Sequence, residues 1–181
     1  MPQVMYRTLT DQSNALKEVI VSVLVGDIGG TNTRLAIFDG VTVIHRASFV
    51  NAEMSSFNAC LDHFLDGIQT VTTAAVFGAA GPVSNGRIEM TNLNWFLDEE
   101  QLTATLNIPV RLLNDFHIQA LGTLELNESD YECLGSARVL KPHSIAVIGA
   151  GTGLGEAILT QTSAGWTVIP GEGGHKRFAP K

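Results

Sequence analysis

The chain has 181 residues, 45% hydrophobic and 16% charged, which suits a soluble globular protein with a real core and disfavours disorder. Eleven basic against eighteen acidic residues leave a net charge of −7 with no cluster of Lys or Arg, which argues against nucleic-acid binding. The longest apolar run, Val19–Val25 interrupted by Ser22, is far short of the ~20 residues a membrane span needs. No signal-peptide cleavage pattern follows it, so the cytoplasm is the default compartment.

Residues 1–18 are polar and mixed and read as an N-terminal extension outside the core fold. Val19–Asp27 is β-branched and apolar, the pattern of a strand buried on both faces. A Gly-Gly-Thr-Asn turn leads to a second strand, Arg34–Phe38. Asp39-Gly40 is then a strong hairpin signal before a third strand, Val41–Phe49. Phe57, Cys60, Leu61, Phe64, Leu65 and Ile68 recur at helical spacing, predicting an amphipathic helix over Ser55–Gln69. Ala74–Phe77 is a fourth strand, Asn85-Gly86 a turn, Arg87–Met90 a short strand and Asp98–Leu106 a helix. Val110–Leu113 is a fifth core strand, with a helix from about Phe116 to Leu124.

The pattern then restarts. Ser144–Ile148, a Gly-rich turn, Glu156–Thr160, a Thr-Ser-Ala-Gly turn and Trp166–Ile169 echo the opening meander, as the first strands of a second, related domain would. The expected division is residues 19–125 as a first domain and 126–181 as a linker plus the start of a second. Cys60 and Cys133 have no metal-ligand spacing and read as buried or half-buried free thiols.

Four segments carry candidate chemistry. Asp27-Ile28-Gly29-Gly30-Thr31-Asn32 lies between two strands. Its glycines let the backbone approach a phosphate, Thr31 and Asn32 add donors, and Asp27 is placed to hold a metal ion through water; a plain structural hairpin is the alternative. Gly149–Gly155 has four glycines in seven residues, more than a hairpin needs. It has no P-loop Lys, and a strand rather than a helix follows it, which disfavours a dinucleotide fingerprint. Asn114-Asp115 follows a buried strand, where a carboxylate can accept a proton from a substrate hydroxyl, and where Asp also serves as an ordinary helix N-cap. Pro170-Gly171-Glu172-Gly173-Gly174-His175 sets a carboxylate and an imidazole on one tight loop, which suits vicinal hydroxyls; a surface Glu on a turn and a metal-ligating His remain open.

Together with Met90-Thr91-Asn92-Leu93-Asn94-Trp95 and Phe178-Ala179-Pro180, these segments occur in order and closely resemble the bacterial glucokinase family of the hexokinase/actin-like ATPase superfamily, over about residues 20–180. The resemblance implies an α/β, ribonuclease-H-like domain with a mixed five-stranded sheet flanked by helices, plus the opening strands of a second similar domain across a cleft. It implies ATP and Mg2+ as cofactors and glucose as the substrate phosphorylated at its 6-hydroxyl, the first step of glycolysis. Carried over residue by residue, Asp27, Gly29, Gly30, Thr31 and Asn32 form one phosphate loop, with Asp27 toward Mg2+. Gly151, Thr152 and Gly153 form the other. Asp115 is the catalytic base, and Asn114, Asp115, Glu172, His175 and Asn92 contact the sugar. The family also carries a further sugar-binding Glu, an adenine-binding segment and a closing helix after the stretch matched here. The chain is therefore expected to be an N-terminal portion, with a homodimer as the expected assembly and a non-catalytic sugar-binding half as the alternative.

Overall fold

The computed structural model describes residues 22–90, 93–135, 143–150, 154–171 and 173. Among these residues, ten strands and three α-helices follow one another: β1 (Ser22–Ile28), β2 (Asn32–Asp39), β3 (Thr42–Val50), α1 (Phe57–Leu65), β4 (Thr72–Ala79), β5 (Arg87–Glu89), β6 (Phe96–Asp98), α2 (Glu99–Leu106), β7 (Val110–Asn114), α3 (Asp115–Gly122), β8 (Ser144–Ala150), β9 (Leu154–Thr162) and β10 (Gly165–Gly171). Short 3-10 turns occupy Asn51–Glu53 and Thr123–Glu125.

The first five core strands form one sheet in the order β3-β2-β1-β4-β7. β1, β2 and β3 are antiparallel neighbours, whereas β1-β4 and β4-β7 are parallel, so the sheet is mixed as expected. The Asp39-Gly40 signal is realised as a two-residue connection between β2 and β3, with Gly40 at φ 57°. Asn85 and Gly86, both at positive φ, make the turn before β5.

One face of this sheet carries the core. Leu24 and Ile28 of β1, Leu35 and Ile37 of β2, Phe77 of β4 and Leu112 of β7 pack against Phe57, Cys60, Leu61 and Phe64 of α1. Phe57 meets Phe77 edge to face, with ring centroids 5.0 Å apart. Each such side chain, fully buried, contributes about 1.5–3 kcal/mol. Gly26 is required here: a Cβ would lie 2.8 Å from Phe77 and 2.9 Å from Leu35. The small β5–β6 sheet and Leu102 of α2 extend the same cluster through Ile88, Met90, Trp95 and Leu97.

The expectation that the first strand is buried on both faces needs correction. β1 alternates buried and half-buried residues, because α3 covers only part of the second face. There Ile118 fills the notch left by Gly78 of β4, where a Cβ would lie 2.6 Å from its Cδ1. Above β1 and β2 that face opens into a trough of about 540 Å³ bordered by Val25, Asp27, Arg34, Arg46 and Ile118. The helix expected over Ser55–Gln69 is also shorter. Ser56 caps it by accepting from the Ala59 amide, and Gly67 at φ 73° follows its end. Cys60 is buried as expected, but Cys133 is exposed, in a stretch that is irregular over residues 126–135.

β8, β9 and β10 form a separate antiparallel sheet in the order β10-β9-β8. One of its faces packs Ala157, Leu159 and Val168 on Ala120, with Phe116, Leu121 and Leu124 from the α3 side. Helix α3 is thus shared, touching the first sheet through Ile118 and the second through Phe116 and Ala120. The other face of the small sheet exposes Ile148, Leu154, Ile158 and Ile169.

Candidate functional site

The parallel register sets the site. Ile28 at the end of β1 pairs with Ala79 at the end of β4, and Ala79 pairs with Asn114 at the end of β7. The Ala80 amide donates to the Ile28 carbonyl at 3.1 Å, carrying the pairing just past the strands. Three chain segments therefore leave the sheet along one edge: Gly29–Asn32, Ala80–Pro82 and Asp115. Two strand spacings separate the first from the last, about 10 Å. Ligands in open α/β sheets bind outside such carboxyl ends.

The turn after β1 is closed by Gly29 N donating to Asn32 O at 3.0 Å. Gly29, Gly30 and Asn32 are half-exposed and Thr31 is exposed, so the turn faces solvent. It is held from behind by Asn51, a residue the sequence did not single out. Asn51 is 3% exposed. Its Nδ2 donates to Gly29 O at 2.8 Å, its Oδ1 accepts from Thr33 Oγ1 at 2.8 Å, and its backbone amide donates to Thr31 O at 2.9 Å. Behind Thr33 lies Cys60, whose thiol is pushed above its ordinary value by burial. Asp27 sits opposite Arg34 across the β1–β2 ladder and accepts from its Nη1 at 3.0 Å, both side chains being roughly half exposed or more.

Asn114 and Asp115 divide their work differently from the cap reading of Asp115. Asn114 is the N-cap of α3: its Oδ1 accepts from Phe116 N at 3.0 Å and His117 N at 3.1 Å. Its Nδ2 donates to Gly81 O at 3.0 Å, tying the helix start to the next segment on the same edge. Gly81 has φ 143°, and a Cβ there would lie 3.1 Å from Glu89 O, so only glycine suits this turn. Asp115 begins the helix, half-buried, with its Oδ1 accepting from Phe116 N at 2.8 Å. A cleft of about 370 Å³ runs beside this corner, bordered by Pro82, Arg111, Asn114, His117 and Pro170. Burial pushes the His117 imidazole below its ordinary value, which favours the neutral ring near pH 7.

The small sheet brings its own glycine turn to α3. Gly149 and Gly155 face each other across β8 and β9, with the ring of Phe116 against both. Glu156, next along β9, accepts from the backbone amide of Gly173 through Oε1. Neither Asn51 nor Glu156 has a periodic signature; the one available signal is a lone polar residue beside an apolar strand run. Asn92, Gly151, Thr152, Gly153, Glu172 and His175 lie outside the described residues. Among the described residues, the structure gathers Gly29, Gly30, Thr31, Asn32, Asn114 and Asp115 along one edge, with Asp27 one residue inside it.

A family model described as Glucokinase matches residues 24–181. A glucokinase from a Nostoc species is 37% identical over 166 residues, covering 87% of this chain and 48% of the relative. One from Photorhabdus laumondii is 38% identical over 159 residues, covering 86% and 50%. The chain spans about half the length of the curated relatives it matches. Among solved structures, a glucokinase from an Antarctic psychrotroph superposes with TM-score 0.73 at 29% identity, over 88% of this chain and 52% of that one. The ROK hexokinase of Thermus thermophilus, at TM-score 0.59 and 20% identity over 85% and 50%, shares the fold, a mixed five-stranded sheet flanked by helices as in the actin-like ATPases. With its fold, its ordered motifs and a family match over most of its length, this chain belongs to the glucokinase family.

Proposed function

We propose that this chain supplies the base, the first phosphate loop and part of the sugar pocket of an ATP-dependent glucokinase, which transfers the γ-phosphoryl of ATP to the 6-hydroxyl of glucose. The observation that carries this reading is the register Ile28–Ala79–Asn114, because it sets a solvent-facing glycine turn and a carboxylate on one sheet edge. A Balamuthia mandrillaris glucokinase solved in complex with glucose has the same fold, at TM-score 0.65 and 22% identity over 91% of this chain and 51% of that one.

Phosphoryl transfer needs positioning and charge stabilisation more than covalent chemistry. The net charge of −7 gives no bulk attraction for a triphosphate, so binding has to come from local donors. The amides of Gly30–Asn32 and the side chains of Thr31 and Asn32 supply them, and Gly151, Thr152 and Gly153 supply a second set. Asp115 accepts the proton of the 6-hydroxyl as that oxygen bonds to the γ-phosphorus, the bond to the bridging oxygen breaks and ADP leaves. Asn114 holds Asp115 at the helix start and, with Asn92, Glu172 and His175, contacts the other hydroxyls.

Mg2+ fits this arrangement. Among the described residues no group of three or more His, Cys, Asp or Glu is gathered for a metal. Mg2+ is usually held by one or two carboxylates plus substrate phosphates and water, which Asp27 satisfies. Its contact with Arg34 is an exposed pair worth about 0–1 kcal/mol, too weak to lock the carboxylate away. When bound, the ion neutralises charge on the phosphates.

The test pairs calorimetric titrations of ATP–Mg2+ and glucose with a coupled assay for glucose 6-phosphate, on the chain and its Asp115→Asn variant. The expected result is binding of both ligands, with whatever turnover the chain shows reduced about 10²-fold or more by the substitution and glucose affinity changed little. Undiminished turnover in Asp115→Asn overturns the base assignment. Glucose binding with no turnover in the parent chain favours the non-catalytic alternative.

A further inference from the structure

Gly149–Gly155 holds more glycine than a hairpin needs, and the structure gives two of those glycines a different partner. Gly149 and Gly155 are register partners across β8 and β9, one pair below the Ala150–Leu154 pair that closes the ladder. A Cβ on Gly149 would lie 2.7 Å from Cε2 and 3.1 Å from Cζ of Phe116. A Cβ on Gly155 would fall onto the same ring, which leaves no room for any side chain. The ring is therefore seated on bare backbone at the ends of β8 and β9.

Phe116 is also the residue after Asp115, in the first turn of α3. The other side of that turn is fixed to the first sheet. Ile118 fills the Gly78 notch, and the Asp115 Cα lies 3.5 Å from where a Gly78 Cβ would be. Gly78 pairs with Asp27 of β1. One helical turn thus sets the carboxylate against the first glycine turn through Gly78, and against the second through Phe116. Reacting groups misplaced by about 1 Å lose on the order of 10²-fold in rate, so this spacing matters chemically.

We infer that Phe116 is a positioning residue that fixes the second glycine hairpin relative to Asp115, and that Gly149 and Gly155 serve its ring rather than a phosphate. The inference deepens the kinase reading and rests on it for the ligand concerned.

The experiment compares Phe116→Leu, Gly155→Ala and the double variant with the parent chain. Amide hydrogen exchange at residues 149–155, without nucleotide, reads the mechanical coupling directly. Calorimetry with ATP–Mg2+ and with glucose, and kcat and KM for each wherever turnover is measurable, read its consequence. Gly155→Ala is expected to speed exchange across the hairpin and weaken ATP–Mg2+ about tenfold or more, with glucose affinity kept within about twofold. In the double variant the leucine lacks the outer ring atoms and relieves only part of the overlap with the added methyl, so its loss of ATP–Mg2+ affinity is smaller than the product of the two single losses.

A general packing defect would weaken both ligands together. Parallel losses for ATP and glucose, purely additive single effects, or unchanged exchange at 149–155 would each overturn the inference. If the parent chain binds no ATP–Mg2+, the kinase reading fails, and the exchange arm still decides whether Phe116 governs the hairpin.

Discussion

Asn51 and Gly29, 22 positions apart, share a 2.8 Å hydrogen bond from the Asn51 amide nitrogen to the Gly29 carbonyl. The Asn51 backbone takes the Thr31 carbonyl as well, so two of the turn's carbonyls are turned inward by one buried residue. The peptide units that carry them are thereby fixed in a solvent-facing turn. Asn51→Ala leaves Gly29 O and the buried Thr33 Oγ1 without this partner. The expected cost is about 1–3 kcal/mol in urea unfolding, with triphosphate affinity falling by a larger factor than glucose affinity. An unchanged unfolding midpoint would show that water replaces the amide without penalty, and that the turn does not depend on Asn51.

The contrast between this residue and its surroundings shows what was legible in the sequence. β1, β2, β4 and β7 declare themselves by apolar β-branched runs, and the Asp39-Gly40 and Asn85-Gly86 turns by the positive φ they need. Helix α1 is legible in its spacing but not in its end, because Ile68 continues the apolar pattern after Gly67 has broken the backbone and then packs on the core from a loop. The brief strand at Phe96–Asp98 is not legible, since three residues are too few to establish a period and no turn signal precedes it as Asn85-Gly86 precedes Arg87–Glu89. Asn51 and Glu156 act through single hydrogen bonds to distant backbone, which leave no repeating mark. The glycine-rich turns were visible as motifs, yet the partner of Gly149 and Gly155 emerges only when α3 is seen between the two sheets.

Asn114 does two separable jobs, so its substitutions should separate as well. Asn114→Ser retains a capping oxygen for Phe116 N and His117 N but loses the donor to Gly81 O. Asn114→Ala loses both. Loss of the cap costs about 0.5–2 kcal/mol, so the alanine variant should unfold at lower urea than the serine variant by about that amount. Both should loosen the Gly81–Pro82 turn to a similar degree, seen as faster amide exchange around residue 81. Equal midpoints for the two variants would mean that the cap contributes nothing here.

Asp98 gives a stability that depends on pH. The Arg87 guanidinium 2.7 Å away, then the amides of Gln101 and Glu100, hold its carboxyl below the usual value of 3.8. A depressed folded-state value means that the contribution is complete above the unfolded-state value and is lost as pH falls through the folded one. Between about pH 5 and pH 3 the parent chain should lose stability faster than Asp98→Asn, which has no carboxylate to protonate. The check is the urea midpoint as a function of pH. Parallel curves for the two proteins would assign the acid sensitivity to other carboxylates.

Glu156 links the two halves of the glycine-rich region. Its Oε1 accepts from the Gly173 amide, and Gly171 is its register partner across β9 and β10. A Cβ at Gly171 would lie 2.7 Å from Glu156 Cγ, so this side chain runs close along the β10 backbone toward Gly173. Glu172 and His175, proposed to contact the sugar, are attached on either side of Gly173. Glu156→Ala removes the acceptor and should weaken glucose binding about tenfold, in line with about 1.4 kcal/mol for a charge-assisted hydrogen bond, while leaving ATP–Mg2+ affinity within about threefold. Glu156→Gln keeps an oxygen in place and should recover most of the loss. Gly173→Ala displaces the carboxylate from the other side and should match the alanine variant of Glu156. Calorimetric titration with glucose measures all three. Full glucose affinity in Glu156→Ala would show that the loop holds its shape without the carboxylate, and would remove Glu156 from the sugar site.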